Sequence, residues 1–177
     1  MVICFEAPAD KAWDKFMFDR LKCASSFSLK VGENLGMSLL RGIGCQVAGN
    51  LKIEGSTGGE LKNINLKSCK VQGDISLNDV QGDTVGLYAA RATNISLTKV
   101  STKIKIDLGD AWAQGDILLE DVQSKFLDFY AARAKNISLI TVGPTSKSGD
   151  DSGEEDAEDE GLDLRATSVD TLVVLDG

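Results

Sequence analysis

Residues Gly73–Leu97 read GDISLNDVQGDTVGLYAARATNISL, and residues Gly115–Leu139 read GDILLEDVQSKFLDFYAARAKNISL. Aligned over 73–100 and 115–142, the two copies share 17 of 28 positions. A self-similar period is the signature of a repeat architecture, so it is read before any local propensity. The unit is finer than 42 residues. An apolar-x-apolar strand pattern starts at Phe27, Leu51, Ile75, Ile95, Ile117, Ile137 and Leu162, with steps of 24, 24, 20, 22, 20 and 25 residues. The long repeat is therefore two laps of about 21 residues.

Inside one lap the apolar residues recur every five positions. Ile75, Val80, Val85, Ala90, Ile95 and Val100 form one such series, and Ile117, Val122, Leu127, Ala132, Ile137 and Val142 form the second. An amphipathic helix places apolar residues three and four apart, and this spacing does not. Short strands, each turning two side chains inward with a bend between them, account for it. Four such sides make a lap. Stacked laps would pair as parallel strands about 4.8 Å apart, so seven laps would make a rod of roughly 30 Å.

The columns agree with a coil. Asn50, Asp74, Asn94, Asp116 and Asn136 each stand just before a main strand. Such residues favour a corner, because the side chain can accept the backbone N–H two residues on. The preceding face carries small inward residues: Cys45 and Val47, Cys69 and Val71, then Ala90 and Ala92, Ala111 and Ala113, Ala132 and Ala134. Cys45 and Cys69 are thereby read as small apolar wall residues. Tyr88 and Tyr130, 42 residues apart near a corner, are read as repeat packing.

The expected fold is all-β, a right-handed parallel β-helix of about seven coils with a short N-terminal capping helix. Residues 1–24 are expected to form the cap, with Trp13, Phe16, Phe18 and Leu21 on one face of a helix over Pro8–Lys22. Residues 25–142 are expected to form the coils, 143–161 an acidic flexible loop, and 162–177 the last coil. Terminal laps of a solenoid bare their strand edges, and the final TLVVLDG has nothing comparable to a cap, so either the natural chain is expected to continue or that edge to meet a partner or a second copy.

The five-residue interval, the four-sided lap and the small-against-large inward positions resemble the pentapeptide-repeat proteins. The resemblance covers about residues 25–142 and implies a right-handed quadrilateral β-helix. The family consensus places Asp or Asn, then Leu, after an Ala, whereas the middle position here is Ser76, Gly86, Arg91, Ser96, Leu118 or Ser138. The phrases VQGDISL and LDLRATSV are also similar to long bacterial β-helical proteins with repeated GDLxL units.

Charge and composition narrow the function classes. The chain has 177 residues, 42% of them hydrophobic, and a net charge of -8. No apolar run approaches the roughly 18 residues of a membrane span. The N-terminus lacks the basic and apolar regions of a secretory signal, so a cytoplasmic location is expected. Eight acids, Asp150, Asp151, Glu154, Glu155, Asp156, Glu158, Asp159 and Glu160, crowd one short tract without a base, and the rest of the chain is neutral, with 19 acids and 19 bases. The tract is a candidate for binding basic partners or imitating nucleic-acid phosphates. The chain has no His, and its four cysteines lack close pairing, so no metal site, cofactor or catalytic residue is expected. Glycine-rich phosphate loops and a nucleophile elbow are absent from the sequence. The NIS sequences at Asn94 and Asn136 follow from the repeat and are discounted as glycosylation acceptors.

Outward positions between the small wall residues are Gln46, Lys70, Arg91, Trp112 and Arg133. Stacking the laps would set Trp112 between two guanidinium groups. The strip Lys70, Arg91, Trp112, Arg133 is either a cation–π ladder or a recognition surface, since Trp and Arg are favoured at interface hot spots. The expected function is a non-enzymatic scaffold or protein-interaction module. Its partner is expected to be another protein, or a second copy at the bare C-terminal coil, and no nucleic-acid ligand is expected. The alternatives are a DNA-mimicking inhibitor of an enzyme such as a topoisomerase, which the neutral body disfavours, and a self-assembling structural protein.

Overall fold

The computed structural model describes residues 3–6, 14–32, 36–56, 59–144 and 161–175. These residues form seventeen strands joined in one sheet, and every pairing is parallel. The sheet coils into a β-solenoid of about six turns. Four stacks of strands make up its sides, named faces A to D in the order the chain visits them.

Face A stacks Ile3–Glu6, Phe27–Lys30, Leu51–Glu54, the start of Ile75–Gly86, the start of Ile95–Asp107, Ile117–Glu120, Ile137–Ile140 and finally Leu172–Leu175. Face B follows one corner later, where Val80 stands beside Val100 and Val122 beside Val142. Face C stacks Lys15–Met17, Gly36–Arg41, Glu60–Asn65, then Thr84, Lys105, Phe126 and Gly161 at successive levels. Face D is the shortest, at two residues per lap: Lys22–Cys23, Gln46–Val47, Lys70–Val71, Arg91–Ala92, Trp112–Ala113, then Arg133 and Ser168.

The five-residue series is the core. Ile75, Val80, Val85 and Ala90 point inward from the four faces in turn, each at most 1% exposed. Face D contributes the small partners, with Cys45, Cys69, Ala90, Ala111 and Ala132 fully buried in one column. Leu40, Ile64, Leu66, Leu87, Leu108 and Phe129 fill the space that those small residues leave. The Cys45 and Cys69 thiols donate to the carbonyls of Phe18 and Gly42. Burial and the neighbouring Cys45 thiol raise the pKa of Cys69, which keeps it protonated.

Two corners hold left-handed residues. Asp79, Lys99, Asp121 and Thr141, all near φ +50°, turn the chain from face A to face B. Ser68, Ala89, Asp110, Ala131 and Ala166 do the same between faces C and D, where Gly44 (φ +68°) is the one glycine. Each C–D corner is a β-turn, closed for example by Ala90 N–H donating to Leu87 O at 3.0 Å and Ala132 N–H to Phe129 O at 2.8 Å. A residue without glycine's freedom costs about 1 kcal/mol or more in that region. The same corners gain hydrogen bonds between laps, such as Ala89 N–H to Gly109 O and Asp110 N–H to Tyr130 O, both 2.8 Å. Gly82 is required for a different reason: a Cβ there would lie 2.1 Å from the Leu61 carbonyl oxygen of the lap below.

Laps differ in length because one bulges. Gly82 pairs with Thr102 but Thr84 pairs with Lys105, so the upper lap carries an extra residue. The bulge leaves Ile104 54% exposed and sends Lys103 to Glu60 at 2.8 Å and Asp83 at 3.5 Å. Behind it, the buried Thr102 hydroxyl donates to Ser124, whose hydroxyl donates to the Phe126 carbonyl, both at 2.8 Å.

Three expectations change. There is no helix among the described residues. Within the expected cap helix, Lys15–Met17 instead forms a strand of face C and Lys22 opens the face D strand Lys22–Cys23, and Ile3–Glu6 already pairs with Phe27–Lys30. Phe16 and Phe18 are two apart because they point inward from one strand, and Phe18 stacks on Phe27 with ring centroids 4.8 Å apart. Trp13 lies outside the described residues. The Leu162 pattern, read as a main strand, pairs with Leu127 on face C, and Leu172 is the residue stacked on Ile137. An apolar-x-apolar motif does not say which face it belongs to, since faces A and C both bury residues two apart. The third change concerns the Asn and Asp corner, whose bonds run between laps rather than within one.

Candidate interaction face

The D–A corner is a hydrogen-bonded ladder. Asn50 Oδ1 accepts the N–H of Asp74 (3.0 Å), Asp74 Oδ1 accepts that of Asn94 (3.1 Å), and Asn94 Oδ1 accepts that of Asp116 (2.9 Å). Asn94 and Asn136 also donate Nδ2 to the carboxylates of Asp74 (2.8 Å) and Asp116 (2.6 Å). Amide and carboxylate alternate strictly up the column, so no two carboxylates stack on adjacent laps. The bond to the N–H two residues on is found at the C–D corner instead. There Asp107, Asp128 and Asp163 accept from Gly109 (3.0 Å), Tyr130 (2.8 Å) and Arg165 (3.0 Å).

Face D lies between these two corners. Its outward residues stand in register as Lys22, Gln46, Lys70, Arg91, Trp112, Arg133 and Ser168, one per lap. The structure thus brings together all four residues of the expected strip. Trp112 is 42% exposed, and the Arg91 guanidinium sits 5.6 Å from its ring centre. Arg133 is the register neighbour on the other side but makes no ring contact among the described residues, so Trp112 carries one guanidinium and not two. A shallow groove of about 610 Å³ runs along the face, floored by Ala24, Val47, Val71 and Ala92 and edged by Lys22, Lys70, Arg91, Gln72, Gln114 and Trp112.

The groove lining contains no carboxylate. Among the described residues, Lys22, Lys70, Arg91 and Arg133 take part in no ion pair. Elsewhere on the coil some cations are matched, such as Arg41 with Asp19, Lys105 with Asp128 at 2.7 Å, and Arg165 with Asp163 at 2.7 Å, while Arg20, Lys30, Lys62, Lys67, Lys99, Lys125 and Lys135 make no ion pair among the described residues. The bonds from Arg165 hold the Asp163 carboxyl below its usual range, at about 2. Bonding to Arg41 likewise lowers Asp19, and bonding to Lys103 lowers Glu60.

Tyr88 and Tyr130 stand on the C–D corner, 40% and 49% exposed, and pack outside the core. Lys67 lies 5.7 Å from the first ring and Arg165 5.9 Å from the second. The Asp110 carboxylate beside the Tyr88 hydroxyl holds that phenol above its usual value.

Sequence reasoning missed Lys22 and the glutamines of the groove. Gln72 and Gln114 sit in QGD phrases 42 residues apart, a signal that the repeat itself offered. Lys22 is one 24-residue step below Gln46 and was hidden by reading 8–22 as helix. The acidic candidates Asp150, Asp151, Glu154, Glu155, Asp156, Glu158, Asp159 and Glu160 all lie outside the described residues. The chain enters that stretch at Pro144 and leaves it at Gly161, which pairs with Phe126.

The last lap bares apolar side chains. Leu162, Leu172, Val174 and Leu175 are 44%, 44%, 59% and 52% exposed. Leu127, Leu139, Val142, Leu162 and Val174 line a hollow of about 300 Å³ there.

Among the described residues, no group of three or more His, Cys, Asp or Glu side chains is placed to hold a metal ion. No helix among the described residues is long and apolar enough to cross a membrane. Comparison with protein-family models, with curated proteins and with solved structures finds no match to this chain.

Proposed function

We propose that this chain is a non-enzymatic β-solenoid interaction module, built on a pentapeptide-repeat-like quadrilateral plan, that binds another protein across face D. The observation that carries the reading is the strip itself: four cations without ion partners and a half-exposed Trp, lined up one per lap on a hydrogen-bonded sheet. The hydrogen-bonded sheet backbone is already ordered before binding, and Trp and Arg dominate interface hot spots. A photo-crosslinking residue placed at Lys70 tests it in extract of the source cells, with Lys52 on face A as the comparison site. Capture from face D alone, lost in Arg91→Ala/Arg133→Ala at an unchanged melting temperature, is expected. Equal capture from both faces, or none, would remove the proposal.

A second reading is self-association through the last lap. The exposed Leu162, Leu172, Val174 and Leu175 favour it, because apolar side chains on a strand edge invite pairing.

A further inference from the structure

We propose that face D takes an extended acidic polypeptide segment, laid along the coil axis with its carboxylates on Lys70, Arg91 and Arg133. The proposal rests on the protein-interaction reading above and names the chemistry of the partner.

Charge is the first reason. The groove edge presents Lys22, Lys70 and Arg91 with no carboxylate in the lining, and Arg133 extends the row by two laps beyond Arg91. An anionic ligand is therefore what the face lacks. Arg offers a carboxylate two parallel donors, which a peptide carboxylate can use fully.

Width is the second. Both flanking corners carry acids: Asp74 and Asp116 on one side, Asp107, Asp110 and Asp128 on the other. The cationic strip is one residue wide between them. A ligand one chain thick keeps its charges over the cations, whereas a nucleic-acid duplex would bring phosphates over both acidic columns. A single nucleic-acid strand fits the width but is held mainly by a series of stacking aromatics. Face D has one exposed aromatic, Trp112, and Arg91 already lies over its ring.

Spacing is the third. Lys70 and Arg133 are three laps apart, about 14 Å at the separation of paired strands, and residues i and i+4 of an extended chain are about 13 Å apart on the same side. Acids at i, i+2 and i+4 thus reach Lys70, Arg91 and Arg133 within the freedom of those long side chains. Gln46, Gln72 and Gln114 supply both donors and acceptors for the backbone of such a segment.

The test is fluorescence anisotropy with a labelled Glu-Ser repeat peptide, alongside a Lys-Ser peptide, an oligo-dT strand and a heparin fragment. Saturable binding of the Glu-Ser peptide is expected, weakened by salt. Arg91→Ala/Arg133→Ala is expected to lose about tenfold or more in affinity, equivalent to about 1.4 kcal/mol, at an unchanged melting temperature. Lys62→Ala, an exposed cation off the strip, is expected to bind as the wild type does. Absence of saturable binding, equal loss in Lys62→Ala, or tighter binding of oligo-dT or heparin through the same arginines would each overturn the proposal. A protein partner crosslinked at Lys70 through a segment poor in acids would sink this inference alone and leave the interaction reading standing.

Discussion

Changing Asn94 to Asp tests whether the alternation at the D–A corner is an electrostatic requirement. Asn94 sits between Asp74 and Asp116 and is joined to both, through Nδ2 to Asp74 at 2.8 Å and through Oδ1 to the N–H of Asp116 at 2.9 Å. The substitution keeps the acceptor and nearly the same shape. It removes the amide donor and creates three consecutive carboxylates about 5 Å apart. At that separation two unit charges repel by about 1 kcal/mol in water, and by about 3 at an effective dielectric of 20. The corner is half-buried to exposed, so the lower figure applies to each of the two neighbours. The lost donor to a charged acceptor adds about 1 kcal/mol at such a site. The expected loss is about 3 kcal/mol at pH 7, read by urea unfolding followed by circular dichroism.

The sign with pH identifies the cause. Repulsion raises the folded-state pKa of the introduced carboxyl above its unfolded value of about 3.9. The penalty is therefore complete above the raised value and vanishes as pH falls below about 4. A neutral carboxyl can also donate to Asp74. Salt at 1 M, where screening acts over about 3 Å, should recover part of the loss at pH 7. Asn94→Ala, which deletes two hydrogen bonds and adds no charge, should cost about 2 kcal/mol and respond little to salt. An Asn94→Asp variant as stable as the wild type at pH 7, or one whose loss is the same at pH 3.5 and in 1 M salt, would refute the reasoning.

Two further outcomes are expected. The bonds from Arg165, Arg41 and Lys103 lower the folded pKa values of Asp163, Asp19 and Glu60, so their stabilisation is present above the unfolded values near 4 and is lost as pH falls through the folded ones, about 2 for Asp163. The melting temperature should fall between pH 4 and pH 2, and Asp163→Asn should shrink that fall; an unchanged acid limb in the variant would count against the pairing. At the last lap, Leu172→Lys/Val174→Lys should abolish any concentration-dependent mass increase seen by light scattering of the wild type, and persistence of that increase would exclude this edge as the route of self-association.

Much of the fold is legible in one dimension because a coil is nearly one-dimensional. Each residue meets its equivalents one lap away, so the five-residue interval at Ile75, Val80, Val85 and Ala90 states the four faces directly. The same logic places Lys70, Arg91, Trp112 and Arg133 in one row. Where the pattern loses its repeat, sequence reasoning loses its guide. Phe16, Phe18 and Leu21 satisfy both a helical face and a coil corner, and only the pairing of Lys15–Met17 with Leu39, Leu40 and Arg41 decides for the strand.

By itself, then, the sequence determined the period, the inward set and the small wall of face D, all of which depend on spacing along the chain. The tertiary structure decided what depends on partners between laps. It assigned Leu162 to face C, turned the corner amides from local acceptors into a ladder, and left the groove of face D without a carboxylate in its lining. The ladder follows from register, which brings together side chains 20 to 24 residues apart, and a single lap contains no information about it.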